Sequence, residues 1–245
     1  MEINRITTGI TGLDKLVGGG FPKGYSILVS GAPGTGKSIF GLGYLYAGAR
    51  EDQKGIYISL LQKTSDLLDQ AGMFGWNFRS YMGEGKIEML EVDTTQFDIS
   101  KLLNAVKKGG YERVVIDSLS HISLHPIPWQ DISITYSAIR DIEAIIPDPK
   151  HPLVASRILT ETFLTKLKKI GTTSIIISES GDIRNFEMDT LPESLTDGVL
   201  NLRYELTGPV KGRNLVIKKM RATKHSEVIH PIEFVEGLGI KVLEP

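Results

Sequence analysis

Eight consecutive residues, Gly31-Ala32-Pro33-Gly34-Thr35-Gly36-Lys37-Ser38, have the spacing G-x-x-x-x-G-K-[ST]. Gly31, Gly34 and Gly36 let the backbone turn its N–H groups inward, and a concave run of N–H groups binds phosphate oxygens. Lys37 would neutralise the outer phosphates of a nucleoside triphosphate. The Ser38 hydroxyl is a hard oxygen donor suited to a magnesium ion bridging the same phosphates. The octet, with Phe40 just beyond it, therefore predicts a P-loop that binds the triphosphate of ATP. A plain strand-to-helix turn could carry the same glycines. The flanks argue against this, because Tyr25–Ser30 reads as a strand and Ser38–Ala49 as a helix whose positive amino end faces the loop.

A magnesium ion at such a loop also needs a carboxylate at the end of a neighbouring strand. Val114-Val115-Ile116-Asp117-Ser118 has that form. Asp117 reads either as this partner of Ser38 or as a cap on the next segment, and the octet favours the first.

These residues need a scaffold, and the apolar pattern supplies one. Short apolar, β-branched runs at Tyr25–Ser30, Gly55–Ser59, Ile87–Val92, Arg113–Asp117, Ser174–Ser178, Gly198–Tyr204 and Asn214–Met220 alternate with helical spacing. Ile99, Leu102, Leu103 and Val106 make one helical stripe; Leu159, Phe163, Leu167 and Ile170 make another. The pattern predicts an α/β fold, a mostly parallel central sheet flanked by helices. Leu119–Ser156 interrupts it with six residues, Pro126, Pro128, Trp129, Pro147, Pro149 and Pro152. It reads as an atypical insertion, a surface loop with a helix near Ile132–Ile146.

Bulk composition narrows the remaining classes. Twenty-eight basic against 29 acidic side chains leave a net charge of −1, so no global field selects nucleic acid or an anionic membrane. Cysteine is absent, which removes thiol nucleophiles, cysteine-ligated zinc and disulfides. With no apolar run of membrane-spanning length, the expectation is a cytoplasmic protein without a membrane partner.

Further stretches carry a resemblance. Thr8-Gly9-Ile10-Thr11-Gly12-Leu13-Asp14 followed by Gly18-Gly19-Gly20-Phe21-Pro22-Lys23-Gly24, and Lys219-Met220-Arg221-Ala222-Thr223-Lys224-His225-Ser226 near the other end, resemble segments of the KaiC-like P-loop ATPases of the RecA/RadA superfamily. The matches cover most of the chain, Leu119–Ser156 being least similar. The resemblance implies a RecA-like P-loop NTPase domain over residues 1–245, with ATP and Mg2+ as cofactors. It implies a homo-oligomer, a hexameric ring in many members, with ATP at subunit interfaces. Lys219 and Arg221 would then reach a neighbour's γ-phosphate and stabilise charge on the transferred group. Without the resemblance they read as a solvated basic edge, and His225 as a surface histidine. Ser178-Glu179 resembles the position that senses nucleotide state, or is a simple cap.

One departure bears on rate. The family usually carries two adjacent glutamates after the second strand, one activating the attacking water, whereas here Tyr57-Ile58-Ser59-Leu60-Leu61-Gln62 puts Leu61 and Gln62 there. Leucine accepts no proton, and Gln62 can orient a water but is a poor base. The expectation is ATP/ADP binding with slow hydrolysis, unless Asp66 or Glu51 reaches the site. A KaiC-like regulatory ATPase with an unidentified protein partner fits best. The alternative is a RadA-like recombination accessory ATPase binding single-stranded DNA through Lys166, Lys168, Lys169 and Arg184, the first three of which also read as a solvated helix face. A scaffold whose ATPase has decayed is a third class.

Overall fold

The central apolar runs become strands buried on both faces, as helices packed on each side of a sheet require, whereas Ile87–Glu91 and Gly212–Met220 keep exposed or half-buried residues. The computed structural model describes residues 3–92, 98–120, 152–179, 190–207 and 211–244. Its strands are β1 (Arg5–Ile6), β2 (Phe21–Pro22), β3 (Ser26–Gly31), β4 (Gly55–Ser59), β5 (Ile87–Glu91), β6 (Arg113–Asp117), β7 (Thr173–Glu179), β8 (Gly198–Glu205), β9 (Gly212–Met220), β10 (His230–Val235) and β11 (Gly239–Val242). Its helices are α1 (Leu13–Leu16), α2 (Lys37–Arg50), α3 (Thr64–Met73), α4 (Phe78–Gly83), α5 (Ile99–Gly109), α6 (Pro152–Ile170) and α7 (Thr190–Leu195).

β1 and β2 pair with each other, and the other described strands form one sheet in the order β11-β10-β9-β8-β3-β7-β6-β4-β5. From β8 through to β5 the neighbours run parallel, while β9, β10 and β11 extend the β8 side as antiparallel strands. The chain leaves β3 through α2 toward β4 and later crosses back from β7 to β8 on the other side of β3. Connections therefore diverge at the carboxyl end of β3, where open α/β sheets form their ligand crevice.

Alternate strand residues face opposite layers. Val29, Tyr57, Val115 and Ile177 join the cluster that contains α2; Leu28, Ile58, Ile116 and Ile176 join the cluster of α5 and α6. α2 sits close to the sheet, since a Cβ on Gly41 would lie 2.8 Å from Val115 and 3.2 Å from Tyr57. The stripe of Ile99, Leu102, Leu103 and Val106 on α5 is buried. Asp98 caps that helix by accepting the Ser100 and Lys101 N–H groups. Pro152 opens α6, a position where its missing N–H costs nothing, so residues 152–156 of the expected insertion are helical. The insertion from residue 121 to 151, with the helix expected at Ile132–Ile146, lies outside the described residues, as does Arg184. No described helix is long and apolar enough to cross a membrane.

Arg113, the first residue of β6, is fully buried. All five of its N–H donors are used: Nε donates to Gln53 Oε1, Nη1 to the Thr7 and Tyr44 carbonyls, and Nη2 to Thr7 Oγ1 and Glu51 Oε2. Its guanidinium also lies 4.6 Å from the centre of the Tyr44 ring. The side chain thus fastens the segment before α1 and the carboxyl half of α2 to the sheet. Arg113→Ala would orphan those acceptors and leave a cavity, so urea titration is expected to register a loss of about 3–5 kcal/mol. A loss under about 1 kcal/mol would mean that water replaces the guanidinium adequately.

Candidate functional site

β3 ends at Gly31, where a Cβ would lie 2.4 Å from the Leu202 carbonyl oxygen and 2.8 Å from Thr35 Oγ1, so no larger residue fits. Gly36 adopts φ 104° and hands the chain to α2, whose first-turn N–H groups have no partner within the helix. The end of a helix this long is a ready anion site. Lys37, the first residue of α2, is buried and donates from Nζ to the Ala32 carbonyl at 2.9 Å. Burial pushes its pKa below the ordinary lysine range, against the opposing pull of Glu179 and then Asp117.

Ser38 Oγ donates to Asp117 Oδ2 at 2.8 Å, and the buried Tyr57 hydroxyl donates to the same oxygen at 2.6 Å. Burial, then the adjacent carboxylate, push the Tyr57 phenol well above its usual range, so it stays a proton donor. These groups open onto a cavity of about 310 Å3 walled by Lys37, Ser38, Asp117, Glu179, Gln62 and Phe234. Gln62 is held at one wall: Ser59 Oγ donates to its carbonyl, and Gln70 Nε2 donates to its side-chain Oε1 at 3.0 Å. Leu61 beside it is 66% exposed. Ser178 contacts Ser120 through its hydroxyl, and the Glu179 N–H donates to Ser120 Oγ at 2.9 Å.

Glu51 and Asp66, the acids named above as substitutes for the missing glutamates, are held elsewhere. Glu51 follows the carboxyl end of α2 and pairs with Thr7 and Arg113, while Asp66 accepts from Ser65 on α3. Nor does the fold bring Lys219 and Arg221 to their own P-loop. Gly198 is in register with both Ile27 and Met220, so this pair sits at the amino end of β3, opposite Gly31. Lys219 Nζ donates to the carbonyls of Glu193, Ser194 and Thr196, and burial lowers its pKa. Arg221 pairs with Asp197, which also holds Lys168 at 2.7 Å. Lys166 and Lys169 are exposed on α6. The His225 ring meets the Ser226 carbonyl.

Four residues of this region carried no signal in the octet or its neighbours. Tyr57 reads as one more apolar strand residue; its clue is that a buried phenol must find a hydrogen-bond partner. Gln70 stands one helix away from Gln62. Phe234 lies on β10, its ring so close to Gly36 that a Cβ there would be 2.6 Å away. Arg213 stacks 4.6 Å from the Phe234 ring centre and donates from Nε to the Gly34 carbonyl, bracing the loop from the antiparallel side of the sheet.

Comparison with known proteins places this arrangement. Residues 6–127 and 130–245 match the family described as "ATPase: KaiC". A UPF0273 protein of Aeropyrum pernix is 33% identical over 96% of this chain and 92% of its own length. The circadian clock oscillator protein KaiC of Prochlorococcus marinus is 28% identical over 99% of this chain, which spans 47% of that longer protein. The crystal structure of a KaiC-like protein from Pyrococcus horikoshii aligns with a TM-score of 0.76 at 29% identity, over 99% of this chain and 100% of that one. With the match running along nearly its whole length and around a P-loop cleft at the divergence of a mostly parallel sheet, the chain belongs to the KaiC family of nucleotide-binding P-loop ATPases.

Proposed function

We propose that this protein is a slow, magnesium-dependent ATPase that acts as a nucleotide-occupancy switch in a homo-oligomer, with ATP held at subunit interfaces. The observation that carries the reading is the makeup of one cleft. Lys37, Ser38 and Asp117 converge on the amino end of α2, while the position after β4 offers only Leu61 and Gln62. Ser38 Oγ and Asp117 Oδ2 are hard oxygens 2.8 Å apart, a donor set that suits magnesium. When bound, magnesium supplies positive charge to the β- and γ-phosphate oxygens. The loop N–H groups of Gly34–Ser38 bind the phosphates, Lys37 balances their charge, and Tyr57 keeps Asp117 turned toward Ser38.

Gln62, fixed by Gln70, orients the attacking water through its amide. An amide in place of a carboxylate after β4 slows proton removal on that side of the cleft and keeps the bound triphosphate long-lived, which suits a switch better than a motor. Lys219 and Arg221, too far round the sheet to serve their own loop, serve the nucleotide of the adjoining subunit. The regulatory reading draws support from the clock oscillator protein among the relatives. The protein is cytoplasmic in this reading, residues 1–245 act as one domain, and the switch is read by a protein partner.

Lys37→Ala is expected to abolish Mg-ATP binding in calorimetry; unchanged affinity would remove the phosphate-site assignment. Arg221→Ala should lower turnover yet bind ATP, and mixing it with Lys37→Ala protein should restore part of the activity, because an intact loop can then meet an intact arginine. Absence of any restoration would count against action between subunits, and turnover stimulated by single-stranded DNA would point to a recombination role instead. Tyr57→Phe should raise the magnesium concentration needed for half-maximal ATP binding by a few-fold to about tenfold, the worth of one hydrogen bond to a charged group. An unchanged requirement would leave Tyr57 a purely structural role.

A further inference from the structure

We propose that Glu179 is the catalytic carboxylate that takes the proton from the water attacking the γ-phosphate, an assignment that rests on the ATPase reading above. The cleft needs such a group. Leu61 accepts no proton, Gln62 is an amide, and Asp117 is engaged by Ser38 and Tyr57. Among the described residues, Asp117 and Glu179 are the carboxylates that line the cavity.

Strand geometry aims Glu179 at this place. β7 pairs in register with β3 so that Glu179 stands beside Gly31, the first residue of the P-loop. Ile175 and Ile177 belong to the α2 side of the sheet, and by strand alternation Glu179 continues that face. Val115 places Asp117 on the same side, so both carboxylates emerge at the amino end of α2. Lys37 registers both charges, Glu179 more strongly than Asp117. The Glu179 backbone is anchored by its N–H to Ser120 Oγ. Its exposed side chain has no hydrogen bond or ion pair among the described residues, which leaves it available to water.

In the step itself, the water oxygen bonds to the γ-phosphorus as the bond from phosphorus to the bridging β-phosphate oxygen breaks, and that electron pair leaves on ADP. The water proton passes to the Glu179 carboxylate and is later lost to solvent. Gln62 orients the water and Glu179 accepts its proton, so the two roles are shared between β7 and the turn after β4.

The test compares the full-length protein with Glu179→Gln in two measurements, affinity for Mg-ATP and Mg-ADP and single-turnover hydrolysis of Mg-ATP. A carboxylate facing the terminal phosphate repels it, so the amide should bind Mg-ATP several-fold tighter while Mg-ADP affinity stays as in wild type. Hydrolysis should slow by about 100-fold or more. Wild-type hydrolysis with the variant equally fast, or an unchanged ratio of ATP to ADP affinity, would overturn the role of Glu179 and leave the ATPase reading standing. A wild-type protein that binds Mg-ATP and never hydrolyses it would remove both the hydrolytic part of that reading and this assignment.

Discussion

One carboxylate oxygen, Asp117 Oδ2, receives hydroxyl protons from both Ser38 and Tyr57. A charge taken this far out of water is tolerated only when hydrogen bonds replace its hydration, and here two short ones do. The arrangement fixes the end of β6 against the start of α2, with β4 supplying the third contact. Shift any of the three elements by a residue and the oxygen loses a partner. The cleft beside the P-loop owes its shape to this contact.

The same strand secures the far end of the helix. β6 opens with Arg113 and closes with Asp117, so a cation lies near the carboxyl half of α2 and an anion at its amino end. Those signs complement the helix dipole at both ends. Gly48 permits the first contact, since a Cβ there would lie 2.3 Å from Arg113 Cδ. Gly41 permits the close approach between them. Five residues of one strand thereby set both the height and the register of the helix that carries Lys37 and Ser38.

The features legible in the sequence are those with local causes. The octet is one, because a loop that wraps phosphate must place its glycines close together. The central strands are another: Val114, Val115 and Ile116 are buried on both faces and so leave an unbroken apolar run. Three of the four residues missed in the cleft depend on distant partners, whereas Gln70 meets Gln62 only eight positions away. Tyr57 meets Asp117 across 60 positions, and Arg213 meets Gly34 across 179. β10 was invisible for a different reason: Pro231 argues against a strand, and it is tolerated next to the strand's first residue, where its carbonyl still accepts the Leu243 N–H. Lys219 and Arg221 were visible as a basic pair, but their position at the opposite end of the sheet from Gly31 follows from the β8–β9 register alone.

That opposite end has its own hub. Asp197 holds Arg221 and Lys168 through Oδ1, accepts the Ser26 N–H through Oδ2, and donates its own N–H to the Ser26 carbonyl. Ser26 begins β3 and Gly31 ends it. The strand is a short rod with the basic cluster bolted to one end and the phosphate loop to the other. Six residues of extended chain are thus all that separates the basic cluster from the phosphate loop.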